Sequence, residues 1–157
     1  YRGRSIVLVD KGRQSGETVK VYDVIGGNEA GGKHAVIFDD EIDTAGTFVG
    51  DAESLMGLKK PPEDVTFYAT HGTLSDPATE RLDKLSKNYK IEVVITDTIP
   101  HDKKFIEERS KWLRVLPVYP AFAHTIDRTE KAESVSEVLF GSLENFEKML
   151  FENYPFK

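Results

Sequence analysis

Short apolar and β-branched runs alternate with helical periodicity along this chain. Residues 5–9 (Ser-Ile-Val-Leu-Val), 35–38, 65–69, 91–95 and 113–118 read as strands, continuous enough in apolar character to be covered on both faces. Between them, Phe48, Val49, Ala52, Leu55 and Met56 recur at helical spacing. Asp76 and Pro77 form a capping and first-turn pair ahead of Leu82 and Leu85. Pro120 opens a run with Phe122, Ala123 and Ile126, and Ser142 caps a last helix with Leu143, Phe146, Met149 and Leu150 inward. This alternation predicts an α/β fold: three layers, α/β/α, with a mostly parallel central sheet and right-handed crossovers. Pro117, unable to donate to a ladder, puts the last strand at an edge. One stretch breaks the rhythm. Residues 18–25 alternate Val19 and Val21 with Lys20 and Tyr22, and glycine pairs at 26–27 and 31–32 follow. That pattern predicts a hairpin or β-flap standing off the sheet between Lys11 and Ala35.

Composition narrows the classes. With 157 residues and 39% hydrophobic content the chain suits a single domain over 1–157, with no second boundary. The absence of cysteine excludes disulfides, thiolate chemistry and cysteine-based zinc sites, and fits a reducing cytoplasm. No run approaches the roughly 18 apolar residues of a membrane span, and no signal-peptide core follows Tyr1-Arg2-Gly3-Arg4, so no membrane partner is expected. The net charge of −6 comes without a basic stripe, so no nucleic-acid partner is expected. A local nest of backbone N–H groups can still bind an anion on an acidic protein.

The strongest chemical signal is Val36-Ile37-Phe38-Asp39-Asp40-Glu41-Ile42-Asp43-Thr44-Ala45-Gly46-Thr47. A buried strand ends in two carboxylates, a small hydroxyl-rich turn follows, and a helix begins near Thr47. Ligands of open α/β sheets sit beyond the carboxyl ends of the strands. There the turn's N–H groups and the helix N-terminus both favour an anion. Thr44 and Thr47 add hydroxyl donors, while Ala45 and Gly46 keep the backbone accessible. Asp39 and Asp40 cannot bind phosphate, but they suit sugar hydroxyls or a magnesium ion carried with the substrate. Phosphate on the turn and a diol on the acids describe a sugar phosphate. In the ordinary alternative, Asp39 and Asp40 only end a strand and Asp43 only caps a helix. No G-x-x-x-x-G-K-[ST] loop occurs.

This segment resembles the phosphoribosyl pyrophosphate signature of the type I phosphoribosyltransferase fold. Ala69-Thr70-His71-Gly72, Leu74-Ser75-Asp76-Pro77-Ala78, Val94-Ile95-Thr96-Asp97-Thr98-Ile99-Pro100 and Glu133-Ser134-Val135-Ser136 follow in the order and spacing of ribose-phosphate pyrophosphokinases. The likeness runs from about Ile6 to Phe140. It implies the carboxy-terminal, phosphoribosyltransferase-like domain of a two-domain enzyme. That enzyme transfers pyrophosphate from ATP to O1 of ribose 5-phosphate, with magnesium, giving phosphoribosyl pyrophosphate and AMP. Asp39, Asp40, Asp43, Thr44, Ala45, Gly46 and Thr47 match the ribose 5-phosphate site. Homo-oligomers, from dimers to hexamers, are implied for the intact protein.

Lys11 and Arg13, flanking Gly12 after the first strand, read by themselves as a solvated turn. The resemblance gives them a second reading: cations on a flexible loop that closes over ATP and steadies its α- and β-phosphates during transfer. Ser134 and Ser136 match positions of a regulatory nucleotide or phosphate site, with helix capping as the ordinary reading. Glu137-Val138 adds a residue to the usual spacing there. His34, His71, His101 and His124 show no metal-ligand spacing, so no zinc site is expected, and magnesium is expected only as carried by the substrate. His71 reads as rim packing or a turn hydrogen bond, with a ligand contact as the alternative. His34 and His101 read as exposed flap and loop residues, and His124 as a half-buried helical one. Thr96-Asp97-Thr98 reads as a turn cap or a subunit contact. Glu41 stands where an apolar residue is more usual. The family's adenine-binding aromatic, catalytic histidine and magnesium-binding aspartate have no counterpart here, so this chain is expected to be a fragment carrying half a site and inactive alone. Two rivals remain: a phosphoribosyltransferase, or a non-catalytic subunit associated with the synthetase.

Overall fold

The computed structural model describes the backbone of residues 8–13, 19–25 and 30–136, and the side chains of residues 30–136. The elements run β1 (Leu8–Arg13), β2 (Val19–Ile25), β3 (His34–Ile42), α1 (Gly46–Met56), β4 (Asp64–Gly72), α2 (Ala78–Asn88), β5 (Ile91–Thr96), α3 (Lys103–Glu108), β6 (Leu113–Leu116) and α4 (Tyr119–Glu130). Two compact units are present, Tyr1–Val115 and Leu116–Lys157. The main sheet has the order β3-β4-β5-β6. The β3–β4 and β4–β5 pairs are parallel, as expected for an α/β fold. β6 lies at an edge, and Pro117 follows its last residue.

Residues 5–9 were expected to be a strand of this sheet. Instead, β1 pairs antiparallel with β2 in a separate two-stranded sheet, with Leu8 opposite Ile25 and Val9 opposite Val24. An apolar run announces a strand but does not name its partner, and here the apolar partners are in β2. The flap is therefore a longer hairpin than the period-2 stretch implied, and β2 runs beside α1.

The core gathers Val65, Phe67 and Ala69 of β4, Ile91, Val93 and Ile95 of β5, Phe48, Ala52 and Leu55 of α1, and Leu82 and Leu85 of α2. Phe48 stacks on Phe67 with ring centroids 4.5 Å apart. Burying each large apolar side chain of this kind is worth about 1.5–3 kcal/mol. Alternate residues of a strand face opposite sides, and β3 shows it. Ala35 and Ile37 pack against the core, whereas Val36 and Phe38 are exposed, Phe38 by 77%. Phe38 stacks on exposed Tyr68. The expectation that β3 is covered on both faces is therefore corrected: one face of it is open, and in the four-stranded sheet it is an edge strand. Gly72 is required in β4, because a Cβ there would be driven into the Ile95 side chain. Trp112 is buried, and its Nε1 donates to Asp83 Oδ1 at 2.7 Å.

One helix start and one helix face differ from expectation. α2 has Pro77, not Asp76, at its N-cap and no side-chain cap bond. In α4 Pro120 is buried in the first turn, but Phe122 and Ile126 are exposed. The helix expected after Ser142 lies outside the described residues.

At the amino ends of the strands, His34 opens β3 opposite Asp64, which opens β4. Asp64 is 8% exposed. Its two carboxylate oxygens meet His34 Nδ1 at 2.6 Å and Lys90 Nζ, just before β5, at 2.8 Å. The hydrogen bond from Lys90, then that from His34, holds the Asp64 carboxyl below the usual carboxylate range, against the opposing effect of burial. Among the described residues no helix is long and apolar enough to cross a membrane.

Candidate sugar-phosphate site

Parallel pairing brings the carboxyl ends of β3, β4 and β5 to one rim. Ile42 closes β3 inside the core, and its carbonyl accepts from Leu74 N at 3.0 Å. The chain then turns through Asp43, Thr44 and Ala45 into α1. Ala45 is buried and adopts the left-handed conformation, with φ 58° and ψ 10°. It is the N-cap of α1, and its carbonyl accepts from Val49 N at 3.0 Å. Asp43 is exposed, and Thr44, Gly46 and Thr47 are half-buried. Among the described residues, no carbonyl or side chain accepts a hydrogen bond from the backbone amides of residues 43–47. The first amides of a helix lack intrahelical acceptors, so this turn carries a run of donors without a described acceptor at the positive end of α1. From α2, Arg81 Nη1 donates to the Thr44 carbonyl at 2.8 Å.

The acids stand beside this turn. Asp39 and Asp40 are exposed, with Asp40 N donating to Asp39 Oδ1 at 3.0 Å. Glu41, also exposed, accepts from Thr73 Oγ1 at 2.5 Å. Among the described residues no three or more His, Asp or Glu side chains gather into a metal cage. Two exposed neighbouring carboxylates suit a hard divalent ion that keeps water and phosphate among its ligands.

The rest of the rim is a threonine network. His71 Nδ1 lies 2.9 Å from Thr98 Oγ1. Thr96 and Thr98 hydroxyls reach the Thr70 carbonyl at 2.7 and 3.0 Å, and Thr98 N donates to Thr96 Oγ1 at 3.3 Å. His71 therefore makes the expected rim hydrogen bond, and Thr96 caps the turn. His101 is half-buried rather than an exposed loop residue. Its Nε2 is 2.6 Å from the Gly72 carbonyl, and its ring stacks on Phe105.

Comparison with known proteins identifies the family. The sequence profile described as the phosphoribosyl synthetase-associated domain matches residues 17–140. The chain belongs to that family. A ribose-phosphate pyrophosphokinase from Caldanaerobacter subterraneus is 40% identical over 133 residues, covering 85% of this chain and 39% of the relative. One from Clostridium acetobutylicum is 38% identical over 133 residues, again 85% and 39%. Among solved structures, phosphoribosylpyrophosphate synthetase from Mycobacterium smegmatis matches with a TM-score of 0.58 and 33% identity, over 75% of this chain and 35% of that one. The chain thus spans about two fifths of the length of the curated relatives it matches.

The other predicted positions fall as follows. Lys11 and Arg13, expected on a loop after the strand, have their backbone within β1, opposite Val21 and Val19, with an irregularity in the pairing at Asp10 and Lys11. Ser134 Oγ accepts from Ser136 N at 3.2 Å, a local capping bond, and the Ser134 carbonyl accepts from Arg128 Nε at 2.5 Å. The extra residue at Glu137 and Val138 lies outside the described residues. Sequence reasoning missed Arg81, thirty-seven positions from Thr44, because a lone arginine on an amphipathic helix reads as a solvated charge.

Proposed function

We propose that this chain is the ribose 5-phosphate half of a ribose-phosphate diphosphokinase and forms one phosphoribosyltransferase-like domain of a longer enzyme. The observation that carries the reading is the run of backbone amides at residues 43–47 with no acceptor among the described residues, next to exposed Asp39 and Asp40. Amides, the α1 N-terminus and the Thr44 and Thr47 hydroxyls hold the 5-phosphate, and Asp39 and Asp40 hold the ribose hydroxyls. Held there, the sugar presents its O1 hydroxyl to the β-phosphorus of ATP. The O1–phosphorus bond forms, the bond from the β-phosphorus to the α-phosphate bridging oxygen breaks, and AMP leaves. Magnesium supplies charge neutralisation on the phosphates, and Asp39 and Asp40 are the residues that would hold it on this chain. Lys11 and Arg13, from the hairpin, offset the charge that grows on the transferring phosphates.

The ATP-binding half is supplied from outside these residues, so the isolated chain binds the sugar without turning it over. The intact protein works in the cytoplasm as a homo-oligomer. A second reading, a non-catalytic subunit associated with the synthetase, is favoured by the description of the matched family. It shares the sugar site and differs only in lacking turnover in the full-length protein.

Titration calorimetry of this chain with ribose 5-phosphate, ribose and inorganic phosphate tests the reading. Ribose 5-phosphate should bind at least tenfold more tightly than ribose. Equal affinities for the two sugars would reject the phosphate assignment.

A further inference from the structure

The turn at residues 43–47 receives a contact from another element. Arg81 lies in the first turn of α2, half-buried, and its Nη1 donates to the Thr44 carbonyl at 2.8 Å. In a trans peptide the carbonyl and the following N–H point in opposite directions across one rigid plane. Drawing the Thr44 oxygen toward α2 therefore turns the Ala45 N–H away from α2.

The turn needs such a hold. Ala45 sits at φ 58° without being glycine, a conformation that costs an alanine roughly 1–2 kcal/mol and persists where surrounding contacts enforce it. Its own carbonyl is fixed by Val49 N on one side, and the preceding carbonyl by Arg81 on the other. Gly46 completes the seat: a Cβ on it would stand only 3.3 Å from Arg81 Nη1. The glycine therefore leaves room for the guanidinium against the turn.

We infer that Arg81 is a positioning residue: it clamps the Thr44–Ala45 peptide so that the turn holds its anion-facing conformation before any ligand arrives. The positioning concerns the turn itself, and its consequence for affinity rests on the sugar-phosphate reading given above.

The test uses the whole chain and two independent readouts. In the ligand-free protein, the Ala45 carbon chemical shifts and its HN–Hα coupling report the left-handed conformation. Arg81→Ala should lose that signature while retaining the circular dichroism of the parent, and guanidinium ion at sub-denaturing concentration should restore it. Arg81→Lys, with one compact charge in place of a planar fork, should restore it only in part. It also serves as the variant to read if Arg81→Ala does not fold. Gly46→Ala, which crowds the guanidinium without removing it, should weaken the signature less than Arg81→Ala does. An unchanged Ala45 signature in Arg81→Ala, or in Arg81→Lys where only that variant folds, overturns the inference.

Calorimetry with ribose 5-phosphate is the second arm. Arg81→Ala should bind at least tenfold more weakly, with recovery in guanidinium. Parent-like affinity in Arg81→Ala overturns the positioning role. If the parent chain does not bind the sugar while Arg81→Ala still loses the left-handed signature, the sugar-phosphate reading fails and the clamp on the turn stands.

Discussion

The two rims of the parallel sheet are built from similar polar residues and arranged in opposite ways. At the amino rim, the carboxylate of Asp64 is shielded from solvent and both its oxygens are taken, one by His34 and one by Lys90. At the carboxyl rim, Asp39 and Asp40 are exposed, and no acceptor among the described residues meets the amides of residues 43–47. A saturated cluster ties three strands together and has nothing left to offer a ligand. An unsaturated one adds little stability and keeps its donors for something else. The contrast separates a stabilising polar group from a recognising one without reference to residue type.

Substitutions on the two rims should therefore have crossed effects. The largest is expected for Thr44→Val combined with Thr47→Val. Losing two hydroxyl donors to a charged phosphate should weaken ribose 5-phosphate binding about 100-fold by calorimetry, with the melting temperature nearly unchanged. A double variant that binds as the parent does would erase the distinction between the rims. At the other rim, Asp64→Ala should lower unfolding free energy by about 2 kcal/mol in urea titration. Its sugar affinity should remain that of the parent, and a parallel loss of affinity would show that the rims are coupled.

A smaller effect sharpens the same point through pH. The Asp64 carboxyl has its folded pKa below the ordinary carboxylate value, which Lys90 enforces first and His34 next. A lowered folded pKa gives stability that is complete above the unfolded value, about pH 4, and is lost as pH falls through the folded value. The parent should therefore lose stability on acidification below about pH 4, and Asp64→Asn should flatten that limb of the profile. An identical acid limb in the two proteins would remove Asp64 from the account. The smallest difference is expected between Asp39→Asn and Asp40→Asn. Because Asp39 Oδ1 already accepts from Asp40 N, the two variants should differ in ribose 5-phosphate affinity by about threefold or more. Equal losses would mean that this bond is not kept when the sugar binds.

Local signals were legible in the sequence, and lateral ones were not. Phe38 through Thr47 announced a strand, a turn and a helix start because composition and spacing act within a few residues. Pro117 marked an edge because a missing donor is a property of one position. By contrast, His34, Asp64 and Lys90 are brought together by the register of three parallel strands, and no periodicity within one segment encodes it. Leu8 and Val9 departed from expectation for the same reason: the apolar run identified a strand but not which sheet it joins. Phe122 and Ile126 have helical spacing, yet spacing alone does not say whether a face is covered. Arg81 was invisible because its partner is a backbone carbonyl, a group that every residue has.

Trp112 is the only tryptophan in the chain, and it is sealed from water with its indole N–H bonded to Asp83 on α2. The protein thus carries one built-in optical probe, seated against the same helix that supplies Arg81. Its fluorescence should be blue-shifted in the native protein and move to the red if α2 loosens. A single emission spectrum can therefore distinguish a variant that has lost a ligand contact from one that has lost its helix.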